Sequence, residues 1–273
     1  MWQLLFVKKE YYTTIRHSTM NITQILSDIQ THGYATITST VSKKQLQDCI
    51  DTFRTFINET SLAVREIIDH RYDPTQRFSV GFRDKSTSEW FDEKCYFHYH
   101  RILLTMDEHR DNPSYQAFLS AMSSVYDRLD LLVHGIGDAL IDGWYMERWS
   151  FYAYDGSTNS NLRILQYRPQ ESCRYLAKPH TDRGVFTLTI YETDPGLRFY
   201  LPDGTIEPIV YEEFVVKMFP TDFWGKYISF PLPATTHDVV KQWGNTERGS
   251  MVLFVNPAYG MWPYTEDESV SEY

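Results

Sequence analysis

The hydrophobic positions in the first half of the chain recur at the spacing of amphipathic helices. A capping box at Asn21–Gln24 opens a first helix, which Gly33 ends. Residues Tyr34–Thr38 then alternate between apolar and polar as a strand does. A second capping box, Ser42–Gln45, opens a helix with one apolar stripe, and residues 111–142 return to helical spacing. We therefore predict a mainly helical front half.

The pattern changes near residue 143 from the period of a helix to the period of a strand. Gly, Pro and Asp residues separate short runs that are rich in β-branched and aromatic residues. Many short strands with turn signals between them indicate a sandwich, a barrel or a jelly roll. The predicted strands are Leu162–Tyr167, Val185–Tyr191, Leu197–Leu201, Phe214–Met218, Tyr227–Phe230 and Ser250–Val255.

Composition and charge restrict the possible partners. The formal net charge is −10, which argues against a large nucleic-acid interface because such an interface needs a basic face. No apolar run approaches the roughly 18 residues of a membrane span. The three cysteines are widely spaced and odd in number, which favours a reducing compartment over a disulfide framework. We expect a cytoplasmic protein that binds neither nucleic acid nor membrane.

One short segment combines residues that bind metals. His180 and Asp182 stand two positions apart, so they point to the same side if the segment is extended. His237 follows 55 positions after Asp182, a distance that lets the chain return beside the pair. Two imidazoles and one carboxylate on one face suit Fe(II), whereas zinc more often takes cysteine or a third histidine. Taken alone, however, a His-x-Asp pair is more often a surface or capping pair.

A polar pair follows the second histidine at an informative spacing. Arg248 and Ser250 stand 11 and 13 positions after His237. Together with His180-Thr181-Asp182, this arrangement resembles the isopenicillin N synthase-like family of iron(II)/2-oxoglutarate-dependent dioxygenases. The segments that resemble those of the family are His180–Thr189, Gly196–Phe199, His237–Val240, Ser250–Pro257 and Leu162–Pro169. Positions Leu165, Arg168 and Thr221-Asp222 depart from the family's pattern, which affects the cosubstrate and substrate more than the metal.

The resemblance implies a fold and a domain plan. We expect a mainly β protein with a helical N-terminal part, in which helices buttress a double-stranded β-helix (jelly roll) core. Residues 1–19 are expected to be an extension, with Met20 as an alternative initiator. Residues 20–273 would form one domain, made of a helical front at 20–143, a jelly-roll core at 144–260 and a tail at 261–273.

The resemblance also implies the chemistry. His180, Asp182 and His237 would hold Fe(II), and 2-oxoglutarate would bind the iron through its keto-acid end. Arg248 would then offer a planar two-donor fork to the far carboxylate of 2-oxoglutarate, with Ser250 and Tyr167 adding hydrogen bonds. The enzyme would consume O2, release succinate and CO2, and oxidise a small-molecule substrate.

Two alternatives remain open at this point. The first is an iron oxidase of the same fold that uses no 2-oxoglutarate, because such relatives retain the Arg-x-Ser pair. The second is a non-catalytic jelly roll that binds a metal or a small ligand. The second is disfavoured because all three candidate ligands and the arginine are present. Nucleic-acid demethylation is disfavoured by the acidic net charge.

Overall fold

A computed structural model of the chain describes residues 20–61, 64–65, 80–84, 94–101, 103, 111–153, 156–168, 175–241 and 247–258. The predicted extension at 1–19 and the tail at 261–273 lie outside the described residues, as does Cys173.

The helices begin and end where their capping residues predict. The Asn21 side chain accepts a hydrogen bond from the Gln24 backbone, but the Gln24 side chain donates to Asp28, so the predicted capping box is only half formed. Ser42 with Gln45 forms the predicted reciprocal capping box. Gly33 ends the first helix in the left-handed conformation, at φ 78°. No helix within the described ranges has the length and apolarity needed to cross a membrane. The helices are α1 (Ile22–His32), α2 (Lys43–Glu59), α3 (Pro113–Asp142), α4 (Arg148–Phe151) and α5 (Trp224–Tyr227).

The strands form two antiparallel sheets. They are β1 (Ala35–Thr38), β2 (Gly81–Asp84), β3 (Lys94–Tyr99), β4 (Asn159–Tyr167), β5 (Tyr175–His180), β6 (Phe186–Glu192), β7 (Leu197–Tyr200), β8 (Ile206–Pro208), β9 (Val215–Pro220), β10 (His237–Val240) and β11 (Arg248–Asn256). The large sheet has the order β1-β9-β6-β11-β4-β3-β2, and the small sheet has the order β5-β10-β7-β8. The front half therefore also contributes three strands to the large sheet. The predicted mainly β fold with a helical N-terminal part is confirmed.

One predicted strand is wrong. Residues Trp224–Tyr227 form a helical turn instead of the start of a strand at Tyr227–Phe230. The Trp224 side chain is buried, and its indole N–H donates to the Phe230 carbonyl at 2.7 Å, which folds the segment back on itself. Ile228 makes only an isolated bridge to Met146. Strands β2, β3, β5, β8 and β10 were not predicted. Strands β2, β8 and β10 are only three or four residues long, and the sequences of β3 and β5 lack a clear alternation of apolar and polar residues.

Two apolar clusters lie on opposite faces of the large sheet. Phe97 on β3 packs on the helical side, where its ring centroid lies 4.9 Å from that of Phe118 on α3. Its neighbour Tyr96 points the other way and joins a second cluster between the two sheets. Because side chains alternate along a strand, β3, β4, β9 and β11 each contribute residues to both clusters. The second cluster is the interior of the jelly roll, and the candidate site is built beside it.

The close contact of α3 with α4 gives a prediction about two glycines on one helix. A methyl group at Gly137 would lie 2.1 Å from the buried Phe151 ring, whereas one at Gly135 would meet only Met20 at 3.7 Å. Gly137→Ala should lower the free energy of unfolding by about 1–3 kcal/mol. Gly135→Ala should leave it unchanged or raise it by about 0.4–1 kcal/mol. Urea unfolding of both variants checks this, and equal effects would contradict the packing.

Candidate metal centre and anion pocket

The structure brings the three predicted metal ligands together. His180 is the last residue of β5 and His237 is the first residue of β10, and the antiparallel register places them opposite each other. Asp182 lies two residues after His180, in the loop that leads to β6. One nitrogen or oxygen atom from each of the three side chains lies within 4.8 Å of the other two. Among the described residues, this is the group of His, Cys, Asp or Glu side chains that could hold a metal ion.

The hydrogen bonds of the two imidazoles orient them for metal binding. The Nδ1 atom of His180 lies 2.6 Å from the Lys178 carbonyl, and that of His237 lies 3.2 Å from the Thr235 carbonyl. A carbonyl can only accept, so each Nδ1 carries the proton and each Nε2 keeps its lone pair. The two Nε2 atoms lie 3.9 and 3.7 Å from Oδ1 of Asp182. Three lone-pair donors therefore converge, as in metal sites where a carbonyl that accepts from the other ring nitrogen orients each histidine.

The environment of His180 favours the protonation state that a metal needs. Burial lowers its pKa, and the neighbouring His237 lowers it further, whereas Asp182 acts in the opposite direction. Because the net shift is downward, the neutral imidazole persists to a lower pH than in an ordinary histidine. The His180 side chain is 34% exposed and that of His237 only 8%, so the centre opens to solvent on the His180 side.

The loop that carries Asp182 is fixed by backbone contacts. Gly184 has φ 110°, and a Cβ atom there would lie 2.9 Å from the Val255 carbonyl, so only glycine fits this position without strain. The backbone N–H of Asp222 donates to the Asp182 carbonyl at 3.0 Å. The Thr221 hydroxyl donates to the Gly184 carbonyl at 2.5 Å. The Thr221-Asp222 pair, a departure from the family's pattern, thus holds the loop in place.

A buried ion pair holds the strand that carries His237. The Asp238 carboxylate accepts two hydrogen bonds from Arg198 on β7, at 2.9 and 2.7 Å, and one from the Tyr200 hydroxyl at 2.7 Å. Burial would raise the pKa of Asp238, but these hydrogen bonds and the guanidinium charge outweigh it, so the pKa is lowered. The charged carboxylate therefore fixes β10 to β7 beside the candidate centre.

The predicted cosubstrate residues also lie together, between the two sheets. Arg248 at the start of β11 is opposite Tyr167 on β4, and its guanidinium carbon lies 5.1 Å from the centroid of the Tyr167 ring. Ser250 lies two residues further along β11, on the same face as Arg248. Arg248 is only 5% exposed and Tyr167 4%. The structure thus places a cation in a desolvated pocket beside the second apolar cluster.

The Arg248 guanidinium already has a partner that the sequence did not predict. Its Nη2 donates to the carboxylate of Glu192, the last residue of β6, and its Nε donates to the Asp194 carbonyl at 3.1 Å. Its third nitrogen, Nη1, is buried and makes no hydrogen bond within the part of the chain that the structure describes. Two of the three nitrogens of the guanidinium that was expected to bind 2-oxoglutarate therefore already donate to groups of the chain itself. Glu192 is the only acidic residue of its strand, and a buried acid in an apolar strand implies a buried cation nearby.

Thr187 is a second residue that the sequence did not single out. Its hydroxyl donates to Oδ2 of Asp182 at 2.9 Å, which leaves Oδ1 facing the two imidazoles. We predict that Thr187→Val weakens metal binding about 10- to 100-fold, the usual effect of losing such an outer partner. Thr187→Ser keeps the hydroxyl and should bind nearly as the wild type does. Anaerobic Mn(II) titration measures both, and equal affinities in all three proteins would contradict a role for this hydrogen bond.

Comparisons with known proteins place this geometry in a fold group. Neither the protein-family models nor the curated proteins include a match to the sequence. Solved structures do match, among them a full-length Neurospora crassa protein in complex with alpha-KG (2-oxoglutarate) and 5-formyluracil. It has a TM-score of 0.67 and 19% identity, over 90% of this chain and 83% of that one.

Two further solved structures are similar. The dioxygenase for auxin oxidation 1 from Arabidopsis thaliana, in a complex with 2-oxoglutarate, has a TM-score of 0.65 and 14% identity, over 88% of each chain. A Caulobacter crescentus protein assigned to the 2OG-Fe(II) oxygenase family has a TM-score of 0.65 and 19% identity, over 89% of this chain and 83% of that one. The chain therefore has the double-stranded β-helix fold of these oxygenase structures.

Proposed function

We propose that the protein is an Fe(II)- and 2-oxoglutarate-dependent oxygenase of the isopenicillin N synthase-like branch. It would oxidise a small-molecule substrate and release succinate and CO2. The observation that supports this best is the convergence of His180, Asp182 and His237 at the rim of a jelly roll whose interior also holds a buried arginine. The fold shared with oxygenase structures that contain 2-oxoglutarate is independent support.

The donor set fits iron. His180, Asp182 and His237 would hold the ion through two imidazoles and one carboxylate, a donor set that suits Fe(II) together with a chelating cosubstrate and O2. When bound, the iron would activate O2, and the protein's part is to hold the three donors, orient the substrate and exclude water. Cys49 and Cys95 are buried in the core, and burial raises the pKa of each thiol to about 12, so they do not suit a metal here.

The pocket around Arg248 fits the far carboxylate of 2-oxoglutarate. A buried guanidinium nitrogen without a hydrogen-bond partner is costly, and an incoming carboxylate would satisfy it. Ser250 and Tyr167 lie on the same side of the sheet and would add contacts. The Nη1 atom of Arg248, which has no hydrogen-bond partner among the described residues, is thus the feature of this pocket that favours binding of an anion.

The face of the large sheet beside the centre fits a small organic substrate. Thr187, which contacts Asp182, lies opposite Phe254 in register, and Arg163 on β4 lies on the same face. The Arg163 guanidinium carbon stacks 4.6 Å from the centroid of the Phe254 ring and 5.1 Å from that of Tyr96. Aromatic rings beside a cation suit a planar or polar small molecule. Structures of the same fold contain thymine or 5-formyluracil, which supports a small-molecule substrate.

A specific observation favours a second candidate function. Glu192 already supplies a carboxylate to Arg248, so the cation that would hold 2-oxoglutarate is partly neutralised by the chain. An iron oxidase of the same fold without 2-oxoglutarate would need no free anion site. Succinate release in proportion to substrate oxidation separates the two functions.

We propose that the described residues belong to one domain, because β1, β2 and β3 from the front half complete the large sheet of the jelly roll. We also propose a cytoplasmic location, because Cys49 and Cys95 are free buried thiols, as in proteins of a reducing compartment.

Metal titration tests the candidate centre. The wild-type protein should bind about one equivalent of Fe(II) under anaerobic conditions, since three donors converge at one point. His237→Ala removes a ligand and should weaken binding by more than the roughly 10- to 100-fold loss typical of an outer partner. His32→Ala, on the exposed end of α1, is the matched control and should bind normally. Equal affinity in His237→Ala and the wild type would show that the iron lies elsewhere.

Turnover with a mixture of metabolites tests the function. With Fe(II), O2 and 2-oxoglutarate present, a fraction containing the substrate should stimulate succinate release, and one succinate should appear for each substrate molecule oxidised. His237→Ala should release none above background. Substrate oxidation without succinate would favour the oxidase, and a protein that binds iron but oxidises nothing in any fraction would favour the non-catalytic alternative.

A further inference from the structure

Glu192 and Arg248 form an ion pair that is almost completely removed from water. The side chains are 2% and 6% exposed, respectively. The carboxylate of Glu192 also accepts backbone hydrogen bonds from Gly196 at 3.1 Å and Leu197 at 3.3 Å. A buried charge is stable only when such partners compensate it. Glu192 is therefore a fixed counter-ion and not a mobile surface acid.

The loop that follows Glu192 closes around the guanidinium. A Cβ atom at Gly196 would lie 3.1 Å from Nε of Arg248 and 2.9 Å from the Val240 carbonyl, so the backbone packs directly on the arginine. Nε is used by the Asp194 carbonyl and Nη2 by Glu192. Among the described residues, Nη1 has no hydrogen-bond partner. An incoming carboxylate would share this guanidinium with a carboxylate that is already bound.

We propose that Glu192 is a specificity-determining residue of the 2-oxo acid pocket. It offsets the charge of Arg248 and so reduces the preference for a 2-oxo acid that carries a distal carboxylate. This inference rests on the proposed use of 2-oxoglutarate. Two carboxylates on one guanidinium repel each other, and in a desolvated pocket this repulsion is much less screened than in water. The pocket would still accept the distal carboxylate through Nη1, but with a smaller gain in affinity.

A ratio of affinities measures this effect without depending on overall stability. The probes are 2-oxoglutarate and 2-oxovalerate, which have the same chain length. The far end of 2-oxoglutarate is a carboxylate, whereas that of 2-oxovalerate is a methyl group. Anaerobic isothermal titration into the Mn(II)-loaded protein gives the dissociation constant of each. In the wild type, the preference for 2-oxoglutarate should be less than about tenfold, a difference of about 1.4 kcal/mol. A preference of the wild type for 2-oxoglutarate above a hundredfold would overturn the proposal. This measurement needs no variant.

Variants at the two charges give opposite predictions. Glu192→Gln removes the competing charge and should raise the preference at least tenfold over the wild type. Arg248→Ala leaves Glu192 uncompensated, so the preference should invert in favour of 2-oxovalerate. Glu212→Gln makes the same change in net charge at an exposed position and should leave the ratio unchanged.

The outcomes separate this inference from the proposed function. One possible result is that the wild type prefers 2-oxoglutarate, that Arg248→Ala loses this preference and that Glu192→Gln keeps it unchanged. In that case Glu192 has only a structural role, the inference fails and the proposed function stands. If Mn(II) binds but neither the wild type nor Glu192→Gln binds either acid, the 2-oxo acid pocket itself is wrong, and the inference fails with it.

Discussion

The antiparallel pairing of β5 with β10 is the constraint on which the candidate centre depends. It places His180 opposite His237 across the small sheet, so two residues 57 positions apart in the chain present their Nε2 atoms at one point. Asp182 then needs only a short loop to reach them, and Gly184 allows that loop to pass close to β11. The buried ion pair of Asp238 with Arg198 keeps β10 in register. The geometry of the candidate centre is thus a property of the sheet rather than of the three individual side chains.

The two charge pairs Asp238–Arg198 and Glu192–Arg248 differ in what they leave for a ligand. Asp238 and Arg198 satisfy each other and Tyr200, so that pair is purely structural. Arg248 and Glu192 are also paired, but one guanidinium nitrogen, Nη1, has no hydrogen-bond partner among the residues that the structure describes. A buried polar atom of that kind is rare in native proteins and is a reason to expect a ligand. With Glu192 already on the same guanidinium, an incoming anion would gain less affinity than it would at an arginine without a counter-ion.

The sequence predicted the parts of the molecule that depend on local spacing. The N-cap residues Asn21 and Ser42 defined the starts of α1 and α2, and the His-x-Asp, His and Arg-x-Ser positions predicted which side chains the structure brings together. It did not predict Thr187, Glu192 or Asp238, because their roles arise from partners on other strands. The strand predicted at Tyr227–Phe230 failed because burial of Trp224 turns the chain there. Short strands such as β10 form through pairing with neighbours rather than through their own propensity.

One metal ion and 2-oxoglutarate are proposed to meet at His180, Asp182 and His237. Visible absorption of the anaerobic Fe(II) protein tests this most directly, because chelation of Fe(II) by a 2-oxo acid gives a charge-transfer band that neither component gives alone. We expect the band to appear when 2-oxoglutarate is added to the iron-loaded wild type and to be absent in His237→Ala. Iron binding by the wild type with no band at saturating 2-oxoglutarate would contradict it.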